Sequence, residues 1–186
     1  IASTLTCLPW DGSKGGVLVL NVQDSINLNA DIDVSGKGFK RGIGYNSGNA
    51  TLNCFQNNFH YPQSSNAIAG QKGESIVTLS SNINFGKGNA ASGGGGGLGH
   101  NSGGGGGSNG GAGGFGGYQL DACGSSPFDN RGIGGSTMNY SSSLNRVFLG
   151  GGGGAGQADN PGNIPPSGGN GGGIAILLSE YLKTNT

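Results

Sequence analysis

The sequence predicts an all-β domain in which a small β-sandwich or β-sheet portion carries an inserted bundle of polyglycine-II helices, with almost no α-helix. Three observations lead there. Glycine supplies 45 of the 186 residues and is gathered into runs. Short segments rich in Val, Ile, Leu and Phe abut those runs. No stretch sustains a capped apolar period of about 3.6 residues. Gly and Pro together make 51 of 186 residues, a composition that alone points to disorder, because glycine loses the most backbone entropy on folding and has nothing to bury. The alternation of apolar segments with runs argues that these glycines belong to a fold. Flexible linkers would join blocks large enough to fold alone, and these blocks are only five to ten residues long.

Val17, Leu18, Val19 and Leu20 form a short apolar strand. A strict alternation follows, with Ile26, Leu28, Ala30, Ile32 and Val34 on one face and Asn27, Asn29, Asp31, Asp33 and Ser35 on the other. This is the pattern of a half-buried strand, ended by Gly36 and Gly38. Residues 40–70 are polar and spotted with aromatics (Tyr45, Phe55, Phe59, Tyr61), an irregular excursion. Residues 75–85, with Ile76, Val77 or Leu79, Ile83 and Phe85, suggest one or two further strands. Glycine runs occupy 93–97, 103–107 and 110–117; after an excursion, Val147, Phe148 and Leu149 lead into 150–154, and 168–173 leads into a closing strand, Ile174–Leu178. The reading is one domain: 1–90 mainly β, 91–173 the glycine bundle with its loops, 174–186 the closing strand and tail.

Ordered polyglycine has few options. Glycine is a poor helix former, and a glycine strand buries nothing. The polyproline-II-type helix, with three residues per turn and ~3.1 Å rise, makes no internal hydrogen bonds, so its amides must pair outward. Without side chains, several such helices can pack side by side and exchange N–H···O=C and weaker Cα–H···O bonds.

Nine Lys and Arg balance nine Asp and Glu, and no basic cluster forms, so nucleic acid and membrane insertion are not expected. The chain begins at Ile1 without a signal-peptide pattern and is expected to be a mature product or part of a longer polypeptide. Low charge with abundant Asn, Ser and Gly suits an extracellular or cell-surface location.

The stretch Arg146, Val147, Phe148, Leu149 followed by the run 150–154, Ala155 and Gly156, and the ending 168–176, resemble glycine-rich domains of large surface and adhesin-like proteins of Bacteroidota. In that group a segment similar to residues 10–18 and 31–39 precedes the runs. The architecture is also similar to the glycine-rich domains of anaplastic lymphoma kinase-type receptors and of phage tail-fibre tip adhesins. The resemblance implies a secreted, non-enzymatic structural or adhesive module. Its implied partners are neighbouring domains of the same polypeptide, a cell-surface glycan or protein receptor, and a type IX secretion or surface-anchoring complex. A phage or viral tail tip and a ligand- or glycan-binding receptor domain are the alternatives. In the phage adhesins the loops between glycine helices carry specificity; the corresponding loops here are 98–102, 117–145 and 157–167. Candidate binding residues in or beside them are Leu98, His100, Asn101, Phe115, Tyr118, Phe128, Tyr140 and Asn163.

Other chemistry has little support. G-x-G-x-x-G arises by chance in such glycine, and Lys37 and Lys87 are followed by Gly rather than the Ser or Thr of a phosphate-binding loop. His60 and His100 read as surface or loop-packing residues, so no catalytic residue is assigned. Asp31 and Asp33 could face calcium, but a solvated acidic face is the favoured reading, and no cofactor is expected. Asp24-Ser25-Ile26 fits a Bacteroidota O-glycosylation pattern at Ser25. Cys7, Cys54 and Cys123 leave open one disulfide with a free thiol, three buried thiols, or a partner elsewhere.

Overall fold

The computed structural model describes residues 1–46, 57–65, 68–119, 129–140, 145–158, 162, 164 and 166–184. Among them, regular structure consists of short strands and a single 3-10 turn, Gln63–Ser65. The strands are β1 (Val17–Asn21), β2 (Ser25–Leu28), β3 (Tyr45–Asn46), β4 (Gln157–Ala158), β5 (Ile174–Leu178) and β6 (Tyr181–Thr184). The described residues are thus nearly all non-helical and carry small two-stranded sheets, consistent with the mostly-β class that the sequence pattern predicts.

The strands pair in parallel as β1 with β5, β2 with β6 and β3 with β4, each pair a separate two-stranded sheet. Val17 and Ile174 stand opposite one another, so the closing strand returns to the first one. The expected strand from Ile26 to Val34 is shorter: β2 stops at Leu28, and Ile32 keeps only a bridge to Leu5. Its alternation survives the bend, with Ile26 buried and Asn27, Asn29, Asp31 and Asp33 exposed. The strands expected within 75–85 do not form. There the chain turns, with the Ile83 amide donating to the Ser80 carbonyl, and Ile76 and Val77 stay exposed. β6 reads in the sequence only as a tail, because its exposed Tyr181 and Leu182 are adjacent and followed by Lys183 and Thr184, with no alternating apolar face.

What joins these pieces is the backbone of the glycine runs. Residues 150–158 are all buried, although their largest side chain is that of Gln157. Successive amides from 150 to 157 donate to three different segments in turn, so the direction repeats every third residue. Gly150, Gly153 and Gly156 donate to the carbonyls of Gly172, Gly169 and Pro166 at 2.9, 2.8 and 2.8 Å. Gly151, Gly154 and Gln157 donate to Ser108, Gly105 and Ser102 at 2.8, 2.8 and 3.0 Å. Gly152 and Ala155 donate to Glu74 and Gln71 at 3.0 and 2.8 Å. The carbonyls follow the same spacing: those of Gly150 and Gly153 accept from Phe39 and Gly42, and those of Gly152 and Ala155 from Gly94 and Gly97. An α-helix would bond within itself, and a sheet strand has neighbours in one plane only. Segment 150–157 has neighbours all round.

The bonds also cross residue 90, the expected edge of the bundle. Segments 39–42 and 70–74 hydrogen-bond to 150–155 and 94–97 as the pure glycine runs do, so they belong to the same packed unit. The apolar side-chain core is small: Tyr61, Ala69, Phe85 and Leu98, with Ile68 against it.

Close approach fixes where glycine is obligatory. A Cβ on Gly152 would overlap the Lys40 carbonyl, whereas one on Gly169 would meet nothing within 4 Å, and neither residue has a left-handed φ. Gly152→Ala should therefore destabilise by about 3 kcal/mol or more, as overpacking against immovable backbone does. Gly169→Ala should be neutral or up to about 1 kcal/mol more stable, because alanine restricts the unfolded chain. Chemical denaturation of both variants checks this; equal losses would contradict the packing.

Candidate functional site

The loops between glycine segments meet at one end of the packed unit. The Leu98 amide donates to the Asn130 carbonyl at 2.9 Å, and the Ser102 hydroxyl donates to the same carbonyl at 2.8 Å. The Gln157 side-chain oxygen accepts from the Asn101 amide at 2.8 Å, and the Gly117 carbonyl accepts from Gly103 at 2.9 Å. Buried Ser102, Asn130 and Gln157 thus supply side-chain partners where the backbone ladders run out.

The segment 112–118 borders this end and again uses a three-residue repeat. The Gly113 and Gly116 amides donate to Gly135 and Gly132, and the Gly114 and Gly117 carbonyls accept from Gly106 and Gly103. The remaining position in the repeat, Ala112, Phe115 and Tyr118, faces solvent, with Phe115 60% and Tyr118 70% exposed. The Arg131 guanidinium lies 4.9 Å from the Phe115 ring centroid and 3.9 Å from that of Tyr118, a cation–π contact with both. Asp129 holds the guanidinium in place, accepting from Nε at 2.9 Å and from Nη2 at 2.7 Å. That side-chain bond, first among its causes, keeps the Asp129 carboxyl below its ordinary range and raises Arg131. The result is a surface of two exposed rings and an exposed carboxylate around a half-buried guanidinium.

The other sequence-derived candidates scatter. Leu98 is fully buried against Tyr61, Ala69 and Phe85, a core residue and not a surface contact. His100 and Asn101 are half-buried at the loop end. Tyr140 lies with segment 108–109, at the other end of the runs, its hydroxyl donating to the Asn109 side chain and its ring 5.6 Å from Phe148. Phe128, Asn163, Cys54 and Cys123 lie outside the described residues. Cys7 is a free thiol, half-buried. Ser25, at the start of β2, is half-buried. Asp31 and Asp33 are exposed; Asp33 accepts from the Ser35 amide at 2.8 Å, and no group of three or more metal-ligating side chains occurs among the described residues.

A second concavity, of about 870 Å³, lies on the flank between Trp10, Phe39, Glu74 and the exposed Ile76 and Val77. Glu74 organises it: one carboxylate oxygen accepts from Trp10 Nε1 and from the Lys40 amide, both at 2.9 Å. The Trp10 ring meets Phe39 edge-on at 5.8 Å. Lys72, only 4% exposed, also lines it. Its Nζ donates to the Phe59 carbonyl at 2.8 Å and lies 2.8 Å from His60 Nδ1. Sequence reading missed Trp10, Glu74 and Arg131, whose roles depend on neighbours far along the chain, and with Arg131 it missed Asp129, which holds the guanidinium from two residues away.

No family model matches the chain, and no curated protein or solved structure matches it either. Among the described residues no helix is long and apolar enough to cross a membrane.

Burial lowers the Lys72 ammonium from 10.5 to about 8. The unfolded chain keeps this proton until about pH 10.5, so between those values the unfolded state binds more protons and stability rises with pH. Lys87, also lowered by burial, adds in the same direction, while Tyr61, raised by burial, opposes it only above pH 10. The denaturation midpoint should climb between pH 8 and 10, with a smaller slope in Lys72→Met. A midpoint that falls over that range, or an unchanged slope in the variant, would contradict the buried amine.

Proposed function

We propose that the chain is a non-enzymatic structural and adhesive module, part of a larger secreted cell-surface protein, built as a bundle of polyglycine-II helices. One observation carries the reading: the amides of 150–157 point to successive neighbours with a repeat of three residues, the periodicity of an extended threefold helix and not of a sheet. In this reading the bundle is a stiff axis, the parallel pairs β1–β5 and β2–β6 form its sheet portion, and specificity resides in what the loops present. Loops 98–102, 117–119 and 129–131 together with Gln157 share one end, which supports recognition there. The same clustering favours a second reading, a receptor-binding tip of a phage tail fibre. The flank concavity beside Trp10 supports a third, a ligand-binding domain of a receptor.

Beads coated with the folded chain and flowed over intact cells test the reading. Retention is expected on several unrelated cell surfaces and should vanish when the protein is unfolded before coating. Retention confined to one bacterial host favours the tail-tip alternative, and no retention on any surface contradicts an adhesive role.

A further inference from the structure

We propose that Phe115, Tyr118, Arg131 and Asp129 form a carbohydrate-binding platform for an extended glycan chain. This rests on the adhesive reading above and names the ligand class of its exposed end.

The Gly113 and Gly116 amides and the Gly114 and Gly117 carbonyls bond to neighbouring segments, and at the remaining position of the repeat Phe115 and Tyr118 carry their side chains outward. Placing Phe115 and Tyr118 three residues apart puts both rings on one side of the segment, within 4.9 and 3.9 Å of one guanidinium carbon. Two such neighbouring rings can each stack on a sugar of one glycan chain. Ring stacking on the C–H face of a sugar needs flat, accessible aromatics.

The rings are also held before a ligand arrives. Rings as exposed as Phe115 and Tyr118 would ordinarily sample several rotamers, but one cation stacked within 5 Å of both centroids holds them. That cation is itself fixed by a charge-assisted bond to Asp129. Holding the rings before binding lowers the ordering cost that weakens flexible surfaces. The Asp129 carboxylate, 45% exposed, keeps lone pairs for sugar hydroxyls, and the remaining guanidinium N–H groups can donate to ring or glycosidic oxygens.

Affinity electrophoresis of the whole chain through gels carrying hydroxyethyl cellulose, glycol chitin or arabinoxylan tests the platform, with melting curves confirming that each variant folds. At least one polymer should retard the protein. Tyr118→Ala should weaken that retardation about tenfold, and Tyr118→Phe should keep it, because stacking needs the ring and not the hydroxyl. Retardation by none of the three, or retardation that Tyr118→Ala leaves unchanged, overturns the platform. Beads bearing the same variants separate this failure from that of the adhesive role. Retention on cells that survives Tyr118→Ala discards the glycan platform and leaves adhesion standing, with a protein ligand as its source. Absence of retention as well discards both.

Discussion

Everything in this fold depends on the backbone amides of a side-chain-free segment finding carbonyls on neighbours that surround it. Residues 150–157 have no apolar surface worth burying, yet they occupy the centre, because every amide there is paired outward at 2.8 to 3.0 Å. An unpaired buried amide costs about as much as a lost hydrogen bond, so the neighbours must sit at the right height as well as the right distance. The requirement propagates. Each neighbour must bring its backbone within hydrogen-bond reach, which excludes Cβ atoms at positions such as Gly152 and Gly96, where a methyl group would overlap a carbonyl. Among the described residues, buried hydrophobic side chains are few: a small cluster around Leu98 and Phe85, and Ile26, Phe39 and Leu149 apart from it.

The ends of such segments pose a separate problem, since the ladder stops before the chain turns. Small polar side chains solve it. Ser102 donates to Asn130, and Ser108 donates to the Ser136 carbonyl at 2.5 Å, while Gln157 accepts from Asn101. The loops between segments are thereby tied to one another, and residues beside them inherit fixed positions. In the proposed reading this is how a chain poor in apolar residues offers a surface for recognition: outward-facing positions admit large side chains at no packing cost, and Phe115 and Tyr118 stand at two of them.

How much of this the sequence discloses follows from the range of each interaction. Val17–Leu20 and Ile174–Leu178 are legible because their apolar runs stand out locally, and the glycine runs are legible by composition. Segments 39–42 and 70–74 are not, because they carry Phe39, Lys40, Arg41, Gln71 and Lys72 between isolated glycines; only their hydrogen bonds to 150–155 and 94–97 reveal their membership. Phe115 and Tyr118 are legible as aromatics among glycines, whereas Arg131 is not, since its place over them is set by the register between 113–116 and 132–135. Leu98 is misleading for a local reason. Flanked by glycine runs, it looks like a loop tip, but the bridge of Ala69 to Leu98 brings the Tyr61 and Phe85 rings onto it.

Scalar couplings measured by NMR across hydrogen bonds, from amide nitrogen to acceptor carbonyl carbon, test the central claim most directly. The account predicts couplings from Gly150 to Gly172, from Gly151 to Ser108 and from Gly152 to Glu74, three consecutive amides reaching three different segments, with the pattern recurring at Gly153, Gly154 and Ala155. Couplings that run from consecutive residues to a single partner segment, or none at all in this stretch, would contradict it.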